Sequence, residues 1–180
     1  GDFENPTPGF GWYNWGDSGF DSWAGRDGSQ GFALYGWITN GYGGLIQEVP
    51  VVSHALGDVY TFRLDGMAES GFSSSTAGVE LRMEFWDGGT PLYAVTNNIY
   101  AALTSSAGSW NTYSLVWTNQ NASVDVVKVL LVGEWFEMVE PYCAAMWDNA
   151  SLDAMDLSVP WLALSGNESF YVGSSNLWRV

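Results

Sequence analysis

The chain has 180 residues, and 20 acidic side chains against 5 Lys and Arg give it a formal charge of −15. That balance argues against nucleic acid, which needs a basic stripe, and equally against anionic membranes and strongly anionic polysaccharides; a neutral polysaccharide or calcium is not repelled. The length fits one domain, or one domain plus a fragment of a neighbour, no apolar run approaches the ~20 residues of a membrane helix, and the single cysteine, Cys143, leaves no intramolecular disulfide.

Eleven tryptophans stand out in such a chain. The first group lies in Phe10-Gly-Trp12-Tyr13-Asn14-Trp15-Gly-Asp-Ser-Gly-Phe20-Asp-Ser-Trp23, whose Gly, Asn and Asp content reads as loop rather than core strand. Large aromatics beside flexible polar residues are costly to leave in water unless a ligand covers them. A sugar ring suits them, because its C–H face stacks on the electron-rich face of an indole.

Beyond this stretch, alternation and short apolar runs predict strands at Gly31–Trp37, Leu45–Val52, Val59–Met67, Val79–Trp86, Trp110–Thr118, Val124–Val132 and Cys143–Leu152. Gly- and Asn-rich turns separate them and helical periodicity is almost absent, which indicates an all-β chain: an antiparallel β-sandwich, most simply a jelly roll. Tyr60, Phe62 and Leu64 should face inward, as should Val79, Leu81, Met83 and Phe85, leaving Glu80, Arg82, Glu84 and Trp86 on an open face. Arg63, Arg82 and Lys128 are expected to share one sheet face with carboxylates, either as a ladder of ion pairs or as a sugar-binding floor. Cys143 reads as a small buried strand residue rather than a reactive thiol. After Asp156 the character changes. Residues 1–156 are expected to form the sandwich, and 157–180 a linker, a docked terminal strand or the start of a following β-domain.

Gly1-Asp2-Phe3-Glu4 at the start, Asp27-Gly-Ser-Gln-Gly-Phe-Ala-Leu34, Gly44-Leu-Ile-Gln47 and the closing Trp147-Asp148-Asn149-Ala-Ser-Leu152 occur in an order that resembles the β-jelly-roll carbohydrate-binding modules, notably the group with families 4, 16 and 22. The match spans about residues 1–153, with Gly1 where those families usually have Asn. The resemblance implies a galactose-binding-like sandwich with a structural calcium where the first and last strands meet. Asp2, Glu4, Asp27, Ser29 and Asp148 are the oxygen ligands it would use, in keeping with the hard, many-oxygen shell calcium prefers. It further implies non-catalytic binding of a neutral polysaccharide, targeting an attached glycan-active enzyme, in a secreted bacterial protein where the module is a monomer within a multidomain chain.

Two places on such a fold can take a sugar, loops at one edge and the open sheet face. For the loops the candidates are Trp12, Tyr13 and Trp15, with Trp37, Tyr42, Trp135 and Phe136 as walls; for the sheet face they are Arg82, Glu84 and Trp86, with Glu80, Tyr113 and Trp117. The competing readings are a small jelly-roll glycoside hydrolase and a cell-surface adhesion or spacer domain. Hydrolysis needs two carboxyls about 5–9.5 Å apart. Glu80 and Glu84, four strand residues apart, stand roughly 13 Å apart, which leaves Glu84 with a neighbouring-strand acid such as Asp65. His54 is the only histidine, so no metal cluster or nucleophile–base dyad is apparent.

Overall fold

The computed structural model describes residue 3, residues 11–37, 41–51, 56–74, 77–135 and 143–155, and three short strands beyond them. Ten strands build two antiparallel sheets. The first sheet has the order β1-β4-β9-β6-β7, from β1 (Trp12–Gly16), β4 (Gly41–Pro50), β9 (Val126–Trp135), β6 (Ala77–Asp87) and β7 (Thr90–Asn98). The second has the order β2-β3-β10-β5-β8, from β2 (Ser18–Asp21), β3 (Gly31–Tyr35), β10 (Ala144–Met155), β5 (Val59–Ala68) and β8 (Asn111–Thr118). One helix, α1 (Tyr100–Ser105), follows β7. A separate three-stranded sheet comprises β11 (Leu162–Ala163), β12 (Ser169–Val172) and β13 (Leu177–Arg179).

The sandwich is a β-jelly roll, and strand alternation produces it. In β6, Val79, Leu81, Met83 and Phe85 are fully buried; Tyr60, Phe62 and Leu64 of β5 and Val127, Val129 and Leu131 of β9 meet them from the two sheets. Seven predicted strands are present with ends displaced by a few residues. Three more strands and α1 were not foreseen. The aromatic stretch read as loop is strand from Trp12 to Gly16 and again from Ser18 to Asp21. Both strands lie at the edge of their sheets, where one side needs no pairing partner and loop-like composition is tolerated.

The chain changes sheets between β1 and β2. Gly16 has φ +66°, a left-handed conformation that glycine adopts without steric cost, and the turn drops the chain from one layer into the other. At the opposite edge Asn97 of β7 donates to the Ser114 carbonyl of β8 at 3.0 Å, tying the two sheets together. Cys143 is buried, and burial pushes its thiol pKa up, with the charge of Glu69 acting in the same direction against a lowering backbone hydrogen bond from Gly71. It is a packing residue.

Candidate ligand-binding face

The side of the first sheet turned away from the core carries aromatic side chains at its β1–β4 edge, the aliphatic Ile46, Leu130 and Val132 along its middle, and polar side chains towards β6 and β7. Strand register sets out its rows. Trp15, Gly44, Val132, Glu80 and Asn98 stand opposite one another across all five strands, and Tyr13, Ile46, Leu130, Arg82 and Thr96 form the next row. Glu48, Lys128, Glu84 and Ala94 follow, while Tyr42 and Glu134 lie on the other side of the Trp15 row. Four strand spacings of about 4.8 Å make the surface roughly 19 Å wide. Tyr42, Gly78, Glu80, Arg82, Asn98, Val132 and Glu134 enclose a shallow cavity of about 290 Å³ at one end.

Both cations of this face are engaged. The Arg82 guanidinium bonds Glu80 through Nε at 3.0 Å and through a terminal nitrogen, and lies 3.7 Å from Glu84. Burial opposes its charge, but the hydrogen bond and attraction of Glu80, joined by Glu84, outweigh burial and raise its pKa. Lys128 bonds Glu48 at 2.6 Å and lies 3.9 Å from the Trp86 ring centroid. The Trp86 indole N–H donates to Glu84 at 3.2 Å, so Trp86, Glu84 and Arg82 form one ordered string. Glu134 makes no ion pair among the described residues.

At the β1–β4 edge the rings are accessible. Tyr13 is 67% and Tyr42 50% exposed. The half-buried Trp15 ring lies 6.2 Å from Tyr42, tilted by 50°. An aromatic edge beside a floor of carboxylates, amide and guanidinium has the composition that holds a polyhydroxylated ring, apolar face on the aromatics and hydroxyls on the polar groups.

Of the predicted ligand residues, Tyr13, Trp15, Arg82, Glu84 and Trp86 fall on this one face, which merges the two predicted locations. Three do not. Trp12 (6% exposed) packs edge-on against Phe3, and Trp135 (0%) against Phe72, both inside the sandwich because their strand positions point inward. Trp37 stacks on Tyr35 at 4.7 Å, beyond the end of β3 in the second sheet. Tyr113 also points inward, Trp117 packs on the core, and Phe136 lies outside the described residues. The expected grouping of three cations is corrected too. Arg63 belongs to β5 in the second sheet, where it bonds Asp153 at 2.5 Å. Asp65 is in that sheet as well, so it makes no catalytic pair with Glu84. Asn98 and Glu134 were missed: β7 gave no alternating signal, and Glu134 is a single acid in an apolar strand.

The predicted metal ligands converge in part. Asp148 is buried on β10, and its carboxylate accepts the Arg26 backbone N–H at 2.9 Å, the Ser29 hydroxyl at 2.8 Å and the Asn149 N–H at 2.7 Å. The Arg26 guanidinium reaches Asp65 at 3.1 Å; Thr112 and Asn149 donate to the same carboxylate at 2.5 and 3.0 Å. Burial pushes the Asp65 pKa up, but those three hydrogen bonds and the Arg26 charge prevail and hold it below the usual carboxylate range. Asp27 occupies a left-handed turn position, and its side chain is 94% exposed. Asp2 and Glu4 lie outside the described residues. A buried carboxylate and a hydroxyl, donor types that calcium takes, stand together at this corner. No three Asp, Glu, His or Cys side chains converge among the described residues, so a shell of six to eight oxygens depends on Asp2 and Glu4.

No protein-family model and no curated protein sequence matches the chain. Solved structures share its fold. The enzymatically active domain of tailspike protein 4 from bacteriophage CBA120 superposes with a TM-score of 0.59 at 13% identity, over 85% of this chain and 20% of that one. A family 16 carbohydrate-binding module gives 0.53 at 16% identity, over 77% and 86%. The second family 22 xylan-binding domain of a Paenibacillus barcinonensis protein gives 0.51 at 17% identity, over 86% and 97%. This chain spans about a fifth of the tailspike chain and most of each binding module.

Proposed function

We propose that the chain is a non-catalytic carbohydrate-binding module that holds a neutral polysaccharide across the open face of the first sheet, keeping an attached glycan-active enzyme on its substrate. The observation that carries this reading is the union of Trp15, Tyr42 and Tyr13 with Glu80, Arg82, Asn98 and Glu134 on one solvent-facing surface. The fold shared with modules described as carbohydrate-binding and xylan-binding supports it. Four carboxylates against two engaged cations make the surface repel uronate-rich chains and admit neutral ones. A few stacking and hydrogen-bonding contacts against the entropy of association give modest affinity, about 10–100 µM, which suffices because tethering raises local concentration.

Native affinity electrophoresis in gels containing soluble xylan, mixed-linkage glucan, glucomannan or galactan tests the reading. Retardation by at least one of them is expected; equal mobility in every gel contradicts it and favours an adhesion or spacer domain. A hydrolase remains the second reading, because Glu80 and Glu134 line the same cavity. Release of reducing ends, abolished by Glu134→Gln, would select it.

The same proposal includes a structural calcium held by Asp148 with Asp2 and Glu4, and with Ser29 and the turn at Asp27 alongside. Bound there, the ion would neutralise the corner and tie the chain's start to β10. Secretion from a bacterium, as a monomeric module of a larger chain, completes it.

A further inference from the structure

We infer that Gly44 and the Gly16-Asp17-Ser18 corner are positioning residues that fix Trp15 and Tyr42 as a two-ring platform of set tilt; this rests on the proposed sugar-binding face. Trp15 and Gly44 stand directly opposite each other on β1 and β4. The indole occupies the space in which a Gly44 side chain would lie, since a Cβ there would collide with two carbons of the Trp15 six-membered ring and with the Leu131 carbonyl oxygen. The ring therefore lies down across β4 and does not stand off the sheet.

The corner holds the second ring to the first. The Asp17 N–H donates to the Tyr42 carbonyl at 3.0 Å, and the Tyr42 N–H donates to the Asp17 carboxylate at 3.3 Å. Ser18 is buried, and its hydroxyl reaches the Trp15 carbonyl at 2.7 Å and the Gly44 carbonyl at 3.3 Å, bridging the two strands that carry the rings. Gly16 closes the arrangement, because a Cβ at that position would strike the Tyr42 carbonyl. None of these four residues presents a large side chain to a ligand. They determine where the two rings sit, and the 6.2 Å separation and 50° tilt determine which successive sugar faces are covered together. A glycine facing an aromatic across a strand pair also has a purely structural use, as cover for exposed backbone. The two roles separate by experiment.

The test is a double-mutant cycle on Gly44→Ala and Trp15→Ala, with affinity for the most strongly retarding of the four polysaccharides and melting temperature both measured. If Gly44 acts through the ring, Gly44→Ala weakens binding at least tenfold in the wild-type background and changes it less than twofold in the Trp15→Ala background. Equal loss in both backgrounds, or unchanged affinity with lowered melting temperature alone, overturns the inference. Should Gly44→Ala fail to fold, Ser18→Ala takes its place in the same cycle, with the same two outcomes. Absence of binding by the wild-type protein overturns the sugar-binding reading itself; binding with additive effects overturns only the positioning role.

Discussion

Trp12 and Trp15, three residues apart on one short strand, are expected to respond to substitution in opposite ways. Trp12 is packed inside the sandwich against Phe3, so Trp12→Ala should cost about 3–5 kcal/mol of stability and leave the affinity of the remaining folded protein near wild type. Trp15→Ala should lower affinity by tenfold or more and shift the unfolding midpoint little. Denaturant unfolding beside affinity electrophoresis reads both. Composition alone does not distinguish these two side chains, since each is a tryptophan among Asn, Gly and Tyr. Only strand register shows that one points into the core and its neighbour two positions from Tyr13 points out. Arg26 supplies a second prediction. Its guanidinium compensates the buried Asp65 carboxylate, so Arg26→Met should cost about 1–3 kcal/mol. Asp65 titrates lower in the folded protein than an ordinary aspartate, so its contribution is complete above about pH 4 and fades as pH falls through the folded value. The stability gap between wild type and Asp65→Asn should therefore be constant near neutrality and close below pH 4 in acid melts.

Among the elements, β6 was the most legible and β7 the least. Strict alternation in Val79–Trp86 gave both the strand and its open face, and all four inward residues are buried as expected. β7 pairs only with β6, at the edge of its sheet, and its burial is weak throughout, so the hydrophobic pattern that marks a strand was never required of it. β1 was hidden for a related reason: its Gly-Asn-Trp content has loop composition, yet an edge strand beside a glycine-rich partner accommodates it. The open-face residues followed the same division. Arg82, Glu84 and Trp86 are legible as open-face residues because β6 alternates, whereas Asn98 sits on the strand that alternation does not reveal. Lys128 and Glu48 face each other across β9 and β4 with the Glu48 carboxylate half exposed, so Lys128→Met should change stability by less than about 1 kcal/mol. Its measurable effect should instead be on Trp86, whose ring the ammonium covers. Fluorescence emission from that indole should shift on substitution.

For the whole molecule, sandwich architecture and acidic character were legible from alternation and charge, while the sharing of basic residues between faces was not, because sheet membership is decided by crossovers that no local pattern encodes. That is why Arg63 and Arg82 lie on different sheets. Removing divalent ions with EDTA should lower the melting temperature, and added calcium should restore it, with Asp148→Ala insensitive to both; an unchanged wild-type melt would remove the metal from the proposal. The face itself is most directly tested by titrating a retarding oligosaccharide into ¹⁵N-labelled protein and following backbone and indole N–H shifts. Shifts concentrated at Trp15, Tyr42, Glu80, Arg82, Asn98 and Glu134 are expected. Shifts confined to the outer side of the second sheet, around Tyr35, Arg63 and Trp110, would contradict the assignment of the binding face.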